Sequence, residues 1–309
     1  MAYVGEALTD RGKTVPVSRR GLLLGATAAM MFAGPQTVRA QAPLKATPAL
    51  WRARKGSAEV FLFGQMPLPP GTDWLSAPIK AALAKSKVFW SENPEPGDPK
   101  EFQELSAKYG VEAGYNILND LSAEDQARLK AAYASVNAPI TMLDGQKPWL
   151  VRLVLGTIAD QTGIKGRPLI PELELKKEAK ELGLPCHSEW KDASQVVTFS
   201  SGLPKPIAID LVRMALDEID TSKNFQDVIS SWLSGDLAVQ TQMDEAWHAH
   251  YPAAYQTILT ERNAAWVPRI QAMLDERTTG FVCVGIGHIV GPYGIPARLR
   301  AAGIDTVRA

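Results

Sequence analysis

The run Phe281-Val282-Cys283-Val284 ends at Gly285-Ile286-Gly287-His288, which places an imidazole three positions beyond the glycine that breaks a strand-like segment. Imidazole titrates near neutrality, so it suits a general acid, a general base or a metal ligand. Near the other end of the chain Val60-Phe61-Leu62-Phe63 breaks at Gly64 in the same way, but the residue three positions on is Pro67, whose side chain offers no donor or acceptor. Two further strand-like ends deliver carboxylates. Lys87 to Trp90 leads into Ser91-Glu92-Asn93, and the short piece Leu184 to Glu189 ends on Glu189. In open α/β sheets ligands collect beyond the carboxyl ends of the strands, where such residues would stand.

Each of these side chains also has a plain reading. His288 would serve as a turn histidine bonded to backbone, Glu92 as a solvated loop carboxylate and Glu189 as a surface residue. Arg262 and Trp266, four apart on a helical pattern, would form a stacked packing pair. His248 and His250 do not share a helix face at their spacing and read as surface residues. Gly285, Gly287 and Gly291 invite a dinucleotide-binding reading. It fails on position, because the following unit with its acidic residue would lie past the end of the sequence; a tight turn is the simpler role.

The elements that must hold these residues follow from periodicity. Leu50 to Arg54 and Glu59 to Phe63 read as a hairpin around Lys55-Gly56-Ser57. Ser76 stands where it would cap a helix running to about Ser86. Helical patterns then cover roughly 99–109, 122–136, 148–162, 171–182, 193–200, 205–219, 223–234, 236–249 and 253–276. The last unit is a strand over 280–285, a helix over about 291–302 and a strand over 304–307. This predicts a single α/β domain over 43–309, its central sheet built from βαβ units at both ends of the chain, with a largely helical insertion over about 99–276. Right-handed crossovers would bring the turns after Phe63 and Val284 to one sheet edge.

Composition narrows the function classes. The sequence holds 33 basic and 33 acidic residues; beyond residue 42 the balance is 28 to 31. No basic block supports a nucleic-acid reading. Ser18-Arg19-Arg20-Gly21-Leu22-Leu23-Leu24 opens a short apolar stretch, followed by small residues around Ala40 and Ala42. That pattern predicts a twin-arginine export signal over residues 1–42 and a periplasmic or secreted mature protein; a Sec signal that happens to contain two arginines is the other reading. No other stretch reaches membrane-spanning length. The two cysteines, Cys186 and Cys283, lie in apolar runs and read as reduced core residues.

Taken together, Leu50-Trp51-Arg52, the strand ending Phe63-Gly64, Asp73-Trp74-Leu75, Glu92, Glu261-Arg262-Asn263-Ala264-Ala265-Trp266, and Val284-Gly285-Ile286-Gly287-His288 with Gly291-Pro292-Tyr293-Gly294 resemble the TraB/GumN family, which is related to the Tiki-type metalloproteases. The resemblance implies an α/β core with a helical insertion and a peptide-hydrolysing site made from two Gly-x-x-His motifs plus carboxylates around a divalent metal. Carried over, His288 matches the second histidine and Glu92 the carboxylate after the first motif. Glu189 matches the mid-chain glutamate and Arg262 the arginine of the penultimate helix. Glu92, Arg262 and His288 are thus the implied catalytic residues, and His288, Glu92 and Glu189 the implied metal ligands. Two departures stand out. Pro67 replaces the first histidine, and the mid-chain Gly-x-Asp is reduced to Gly163-Ile164-Lys165.

One histidine and two carboxylates suit Mn²⁺ better than Zn²⁺. No organic cofactor is implied. The expected partner is a peptide or a small molecule. Two readings follow: a metal-dependent peptidase-like hydrolase with a thinned ligand set, or a catalytically retired member acting as a periplasmic binding protein or, through the GumN association, a polysaccharide-associated one.

Overall fold

Glycine placement starts the sheet. Gly56, at φ +60°, takes the first of two loop positions between Lys55 and Ala58, the glycine site of a II′ turn, and so closes the first hairpin. The computed structural model describes residues 46–95, 97–222 and 225–309; the export signal expected over 1–42 lies outside them. In chain order the elements are β1 (Leu50–Lys55), β2 (Ala58–Gln65), α1 (Ala77–Lys85), β3 (Val88–Ser91), α2 (Pro99–Gly110), α3 (Ala123–Ser135), α4 (Pro148–Gly163), α5 (Pro171–Glu181) and β4 (Cys186–Ser188). They continue with α6 (Ala193–Ser201), α7 (Lys205–Ser222), α8 (Phe225–Ser234), α9 (Ala238–His250) and α10 (Pro252–Tyr255). A π-helical turn, Gln256–Thr260, leads into α11 (Glu261–Asp275). The chain ends with β5 (Gly280–Gly285), a 3₁₀ turn Ile286–His288, α12 (Ile295–Ala301) and β6 (Asp305–Arg308).

The strands form one mixed sheet in the order β4-β3-β5-β2-β1-β6. The α/β class and the helical middle agree with the sequence reading, but the strand order adds something periodicity does not encode. β5 inserts between β2 and β3 and runs parallel to both, so each terminal unit encloses a strand of the other. β2 and β5 are buried on both faces, as expected for central parallel strands. Phe61, Phe63, Phe89, Phe281 and Cys283 pack on one side with Trp74, Leu83, Leu175 and Trp232. Val60, Leu62, Val282 and Val284 alternate to the other side, under Trp266, Ile270, Leu274 and Leu299. A separate core ties α3, α4 and α7 through Leu129, Val154, Leu155, Val212 and Leu216. Cys186 is half-buried, Cys283 is buried, and both are free thiols. No helix among the described residues is long and apolar enough to cross a membrane.

Three local expectations change. The helix expected over 291–302 begins only at Ile295, because Gly291 sits at φ +73°, outside helical space. The long helix over 253–276 is present but carries a π turn at Gln256–Thr260. Ser76 occupies the cap position of α1 but makes no side-chain bond there, whereas the Ser122 hydroxyl accepts from the Asp125 amide and caps α3.

The parallel register sets the functional edge. Gly64 pairs with Val284 and Gln65 with Gly285; Ser91 pairs with Cys283 and with Ser188. The ends of β2, β3, β4 and β5 therefore leave the sheet side by side. Gly64 is required for the fit: a Cβ there would stand 2.7 Å from Ile286 Cδ1 and 2.8 Å from Ile289 Cγ1. Its carbonyl is also held, by Trp232 Nε1 at 2.8 Å. Gly64→Ala is expected to cost about 1–3 kcal/mol through overpacking of the turn after β5, read as a lower urea midpoint at unchanged slope; an unchanged midpoint would show that the turn yields freely.

Candidate functional site

At the end of β3, Glu92 turns back over the sheet edge, its amide donating to the Cys283 carbonyl at 3.1 Å. One carboxylate oxygen, Oε2, accepts the Gly285 amide at 2.8 Å. Gly285 leaves room for this, since a Cβ on it would lie 3.0 Å from that oxygen. One strand further along the edge, the Glu189 amide donates to the Ser91 carbonyl at 2.9 Å. That bond sets the second carboxylate beside the first.

Between the two lies the guanidinium of Arg262. Its Nη2 donates to Glu92 Oε1 at 2.9 Å, while Nε and Nη2 grip Glu189 Oε1 and Oε2 at 2.8 and 2.7 Å. This bidentate fork is the strong geometry for an arginine and a carboxylate. Nη1 donates to the Ile258 carbonyl at 3.1 Å, inside the π turn, which leaves that carbonyl turned toward the side chain. The Trp190 ring lies 5.3 Å from the guanidinium. The arginine expected to stack on Trp266 thus stacks on Trp190 instead. Trp266 Nε1 is 3.3 Å from Glu189 Oε2, and Arg269 covers the Trp266 ring.

His288 completes the group. Its Nε2 is 3.4 Å from Glu92 Oε1 and its Nδ1 is 2.6 Å from Asn263 Oδ1. The Asn263 amide nitrogen donates to the Tyr293 carbonyl at 2.9 Å, so its oxygen faces the ring and the Nδ1 N–H donates to it. Nε2 is thereby left toward Glu92. Asn263 is fully buried and His288 only 3% exposed. Burial alone would raise the Glu92 pKa; the charges of His288 and Arg262 overcome this and hold the carboxyl well below its ordinary range.

Three residues of the site were not picked out from sequence. Asn263 stands in the phrase Glu261 to Trp266, where its neighbour Arg262 drew the assignment. Glu172 and Lys176, four apart at the start of α5, have the spacing of an exposed helix pair, yet both are buried. Glu172 Oε2 accepts from Asn93 Nδ2 at 3.2 Å, and Lys176 Nζ donates to the Asn93 carbonyl at 2.9 Å. They pin the turn that carries Glu92. Burial, with the nearby charge of Glu92, pushes Glu172 up to about 7.

The structure therefore brings Glu92, Glu189, Arg262 and His288 together. Pro67 instead lines a cavity of about 230 Å³ on the helical side of the 286–288 turn, with Met66, Asp244, Ile286 and Gly287. Gly163 ends α4 packed against Phe225. As a metal site the cluster is short of donors. Both Glu189 oxygens are committed to Arg262, a permanent cation lies between the carboxylates, and the first-motif position carries proline. His288 Nε2 and Glu92 Oε1 remain as a pair, fewer than the three protein ligands of a typical catalytic centre. Among the described residues no group of three or more His, Cys, Asp or Glu side chains is arranged to hold an ion. The residues present do not fit the three-ligand centre that the resemblance implies.

Residues 49–308 match the TraB/PrgY/gumN family. Comparison with curated proteins and with solved structures gives no significant match.

The charge cluster makes a signed prediction. In the natural protein Glu92 is depressed, so its contribution is present above the ordinary carboxylate pKa and is lost as pH falls through the folded value. Arg262→Met leaves Glu92 facing Glu189 without the cation, which raises Glu92 and reverses the sign: the defect grows as pH rises through the new folded value. The variant should be less stable by about 3 kcal/mol at pH 8, with the gap narrowing toward pH 5 in urea unfolding. An equal loss at both pH values would contradict the electrostatic role of Arg262.

Proposed function

Because the chain belongs to the TraB/PrgY/gumN family, we propose that it is an extracytoplasmic member in which the hydrolytic metal centre has been dismantled and the cleft at the sheet edge binds a ligand. One observation carries this reading: the guanidinium of Arg262 holds Glu189 with two bonds and Glu92 with a third, while Pro67 stands where the family's first histidine would be. Fold alone supports neither hydrolysis nor binding, since function resides in the site. Here the site has an oriented imidazole and a pair of carboxylates bridged by one guanidinium. The ligand class is a peptide or a small molecule.

A second reading, a metal-dependent peptidase-like hydrolase, draws on the 3.4 Å between His288 Nε2 and Glu92 Oε1. Two donors on one tetrahedral ion at about 2.0–2.1 Å stand about 3.4 Å apart. The readings separate by calorimetric titration of Mn²⁺ and Zn²⁺ into tag-free natural protein, Pro67→His, Pro67→Ala and His288→Ala. Retirement predicts weak binding by the natural protein and a gain of tenfold or more, about 1.4 kcal/mol, only in Pro67→His; Pro67→Ala controls for the loosened turn. Tight binding by the natural protein that vanishes in His288→Ala would overturn it. No gain in Pro67→His would remove position 67 as the lost ligand.

Export rests on Arg19-Arg20 ahead of a short apolar run. Replacing both arginines with lysine should leave the precursor in the cytoplasm in a fractionation experiment. Undiminished export of that variant would assign the segment to the Sec route.

A further inference from the structure

The cavity beside Pro67 has a chemistry of its own. It lies where α4, α7, α8 and α9 meet the turns after β2 and β5, and about 230 Å³ of space opens among them. A cavity of about 150 Å³ takes one benzene ring, so this one has room for a ring with a short chain. Phe225, Met243, Trp247 and Val290 supply apolar and aromatic wall.

Its charged lining is mostly acidic: Asp160, Glu218 and Asp244 against Arg152. Along α4 the cavity is lined by Arg152, Gly156 and Asp160, one residue every four and hence on one face. Arg152 is spent on Glu218 of α7, Nη2 to Oε1 at 3.1 Å, which offsets its charge; its buried Nη1 has no partner and remains as a donor for a neutral oxygen. Asp160 and Asp244 form no ion pair within 4 Å among the described residues; Arg152 acts on Asp160, and His248 and His288 on Asp244, only from further off. Asp244 is 2% exposed and is approached by the Tyr255 hydroxyl at 2.9 and 3.0 Å, a neutral donor. It packs so closely on Gly291 that a Cβ there would fall on its Oδ2.

Burying a carboxylate without a cation is costly, and the group protonates unless one is supplied. Both respond accordingly. Burial, then the charge of Glu218, pushes Asp160 up to about 6, and burial pushes Asp244 up to about 6.

We propose that this cavity is the ligand site of the protein and that it selects small amphipathic cations, an ammonium group on a short apolar or aromatic body. The ammonium sits between Asp160 and Asp244, and the body lies against Phe225, Met243 and Trp247, whose indole face also favours a cation. Ile286 and Gly287 also line the cavity, so the bound molecule lies next to the turn that carries His288. The proposal rests on the binding reading above for the premise that the protein takes a ligand, and it places that ligand in this cavity, across the 286–288 turn from the Arg262 cluster.

The test titrates phenethylamine, 2-phenylethanol and phenylacetate into the purified protein at pH 8 with EDTA present, so that its outcome is independent of the metal titrations. The amine should bind at least about tenfold tighter than the alcohol, a difference of about 1.4 kcal/mol, and phenylacetate should bind weakest. Asp160→Asn and Asp244→Asn keep the side-chain shape, and each should weaken the amine by about tenfold while leaving the alcohol within about twofold. Ala159 also lines the cavity, and Ala159→Trp, which fills the space, should abolish both. If one variant fails to fold, judged by its thermal melt, the other decides, and the ranking of the three compounds on the natural protein needs no variant. Equal affinity for amine and alcohol, tightest binding of phenylacetate, no binding of any of the three, or amine binding that survives Ala159→Trp would each overturn the proposal.

Discussion

A single guanidinium holds the functional edge together. Arg262 reaches from α11 to carboxylates at the ends of two different strands, Glu92 after β3 and Glu189 after β4, and its remaining nitrogen returns to the Ile258 carbonyl. Three segments separated by 73 and 170 residues from Arg262 or only four meet on that one ion. A charge group of this kind is a weak source of net stability, because desolvating the ions offsets much of their attraction. It is a strong source of position. Remove the cation and two carboxylates face one another with little water to screen them; remove one carboxylate and the fork loses its registry.

The sheet makes that meeting unavoidable. β5 runs parallel to β2 on one side and β3 on the other, so the three strand ends leave the sheet within two residues of one another in register, and β4 extends the edge past β3. Glycine sets how closely the ends approach. Gly64 admits Ile286 and Ile289, Gly285 admits the Glu92 carboxylate, and Gly291 admits Asp244. Each gap is filled by a neighbour rather than by the glycine's own side chain, and together they let an imidazole, a carboxylate and the wall of a cavity share one turn. The polar cluster lies on the α11 side of that turn and the cavity on the side of α4, α7 and α9, with His288 and Gly287 adjacent in the chain between them.

Much of this edge was legible in the sequence, for a physical reason. Strand ends at glycines are local signals, and a residue just beyond one stands at the carboxyl edge whatever the sheet order turns out to be; His288, Glu92 and Glu189 were found in that way or through the motifs around them. Strand order was not legible, because the insertion of β5 between β2 and β3 depends on pairings between opposite ends of the chain and leaves no periodic trace. Asn263 was hidden by adjacency, since neighbouring helix residues point about 100° apart and only one of the pair was assigned. Glu172 and Lys176 carry the spacing of a solvated pair and are buried by tertiary contacts alone. The cavity has no sequence signature, being assembled from four helices and two turns that are each unremarkable when read singly.

The family resemblance implies a metal between the same carboxylates that Arg262 occupies, and the two arrangements cannot coexist in one place. Crystals of tag-free protein grown with Mn²⁺ and measured at the manganese absorption edge separate them without reference to any substrate. The arrangement described above predicts Arg262 between Glu92 and Glu189 with no anomalous peak at His288 Nε2. A peak bonded to His288 and Glu92, with the guanidinium displaced, would contradict it.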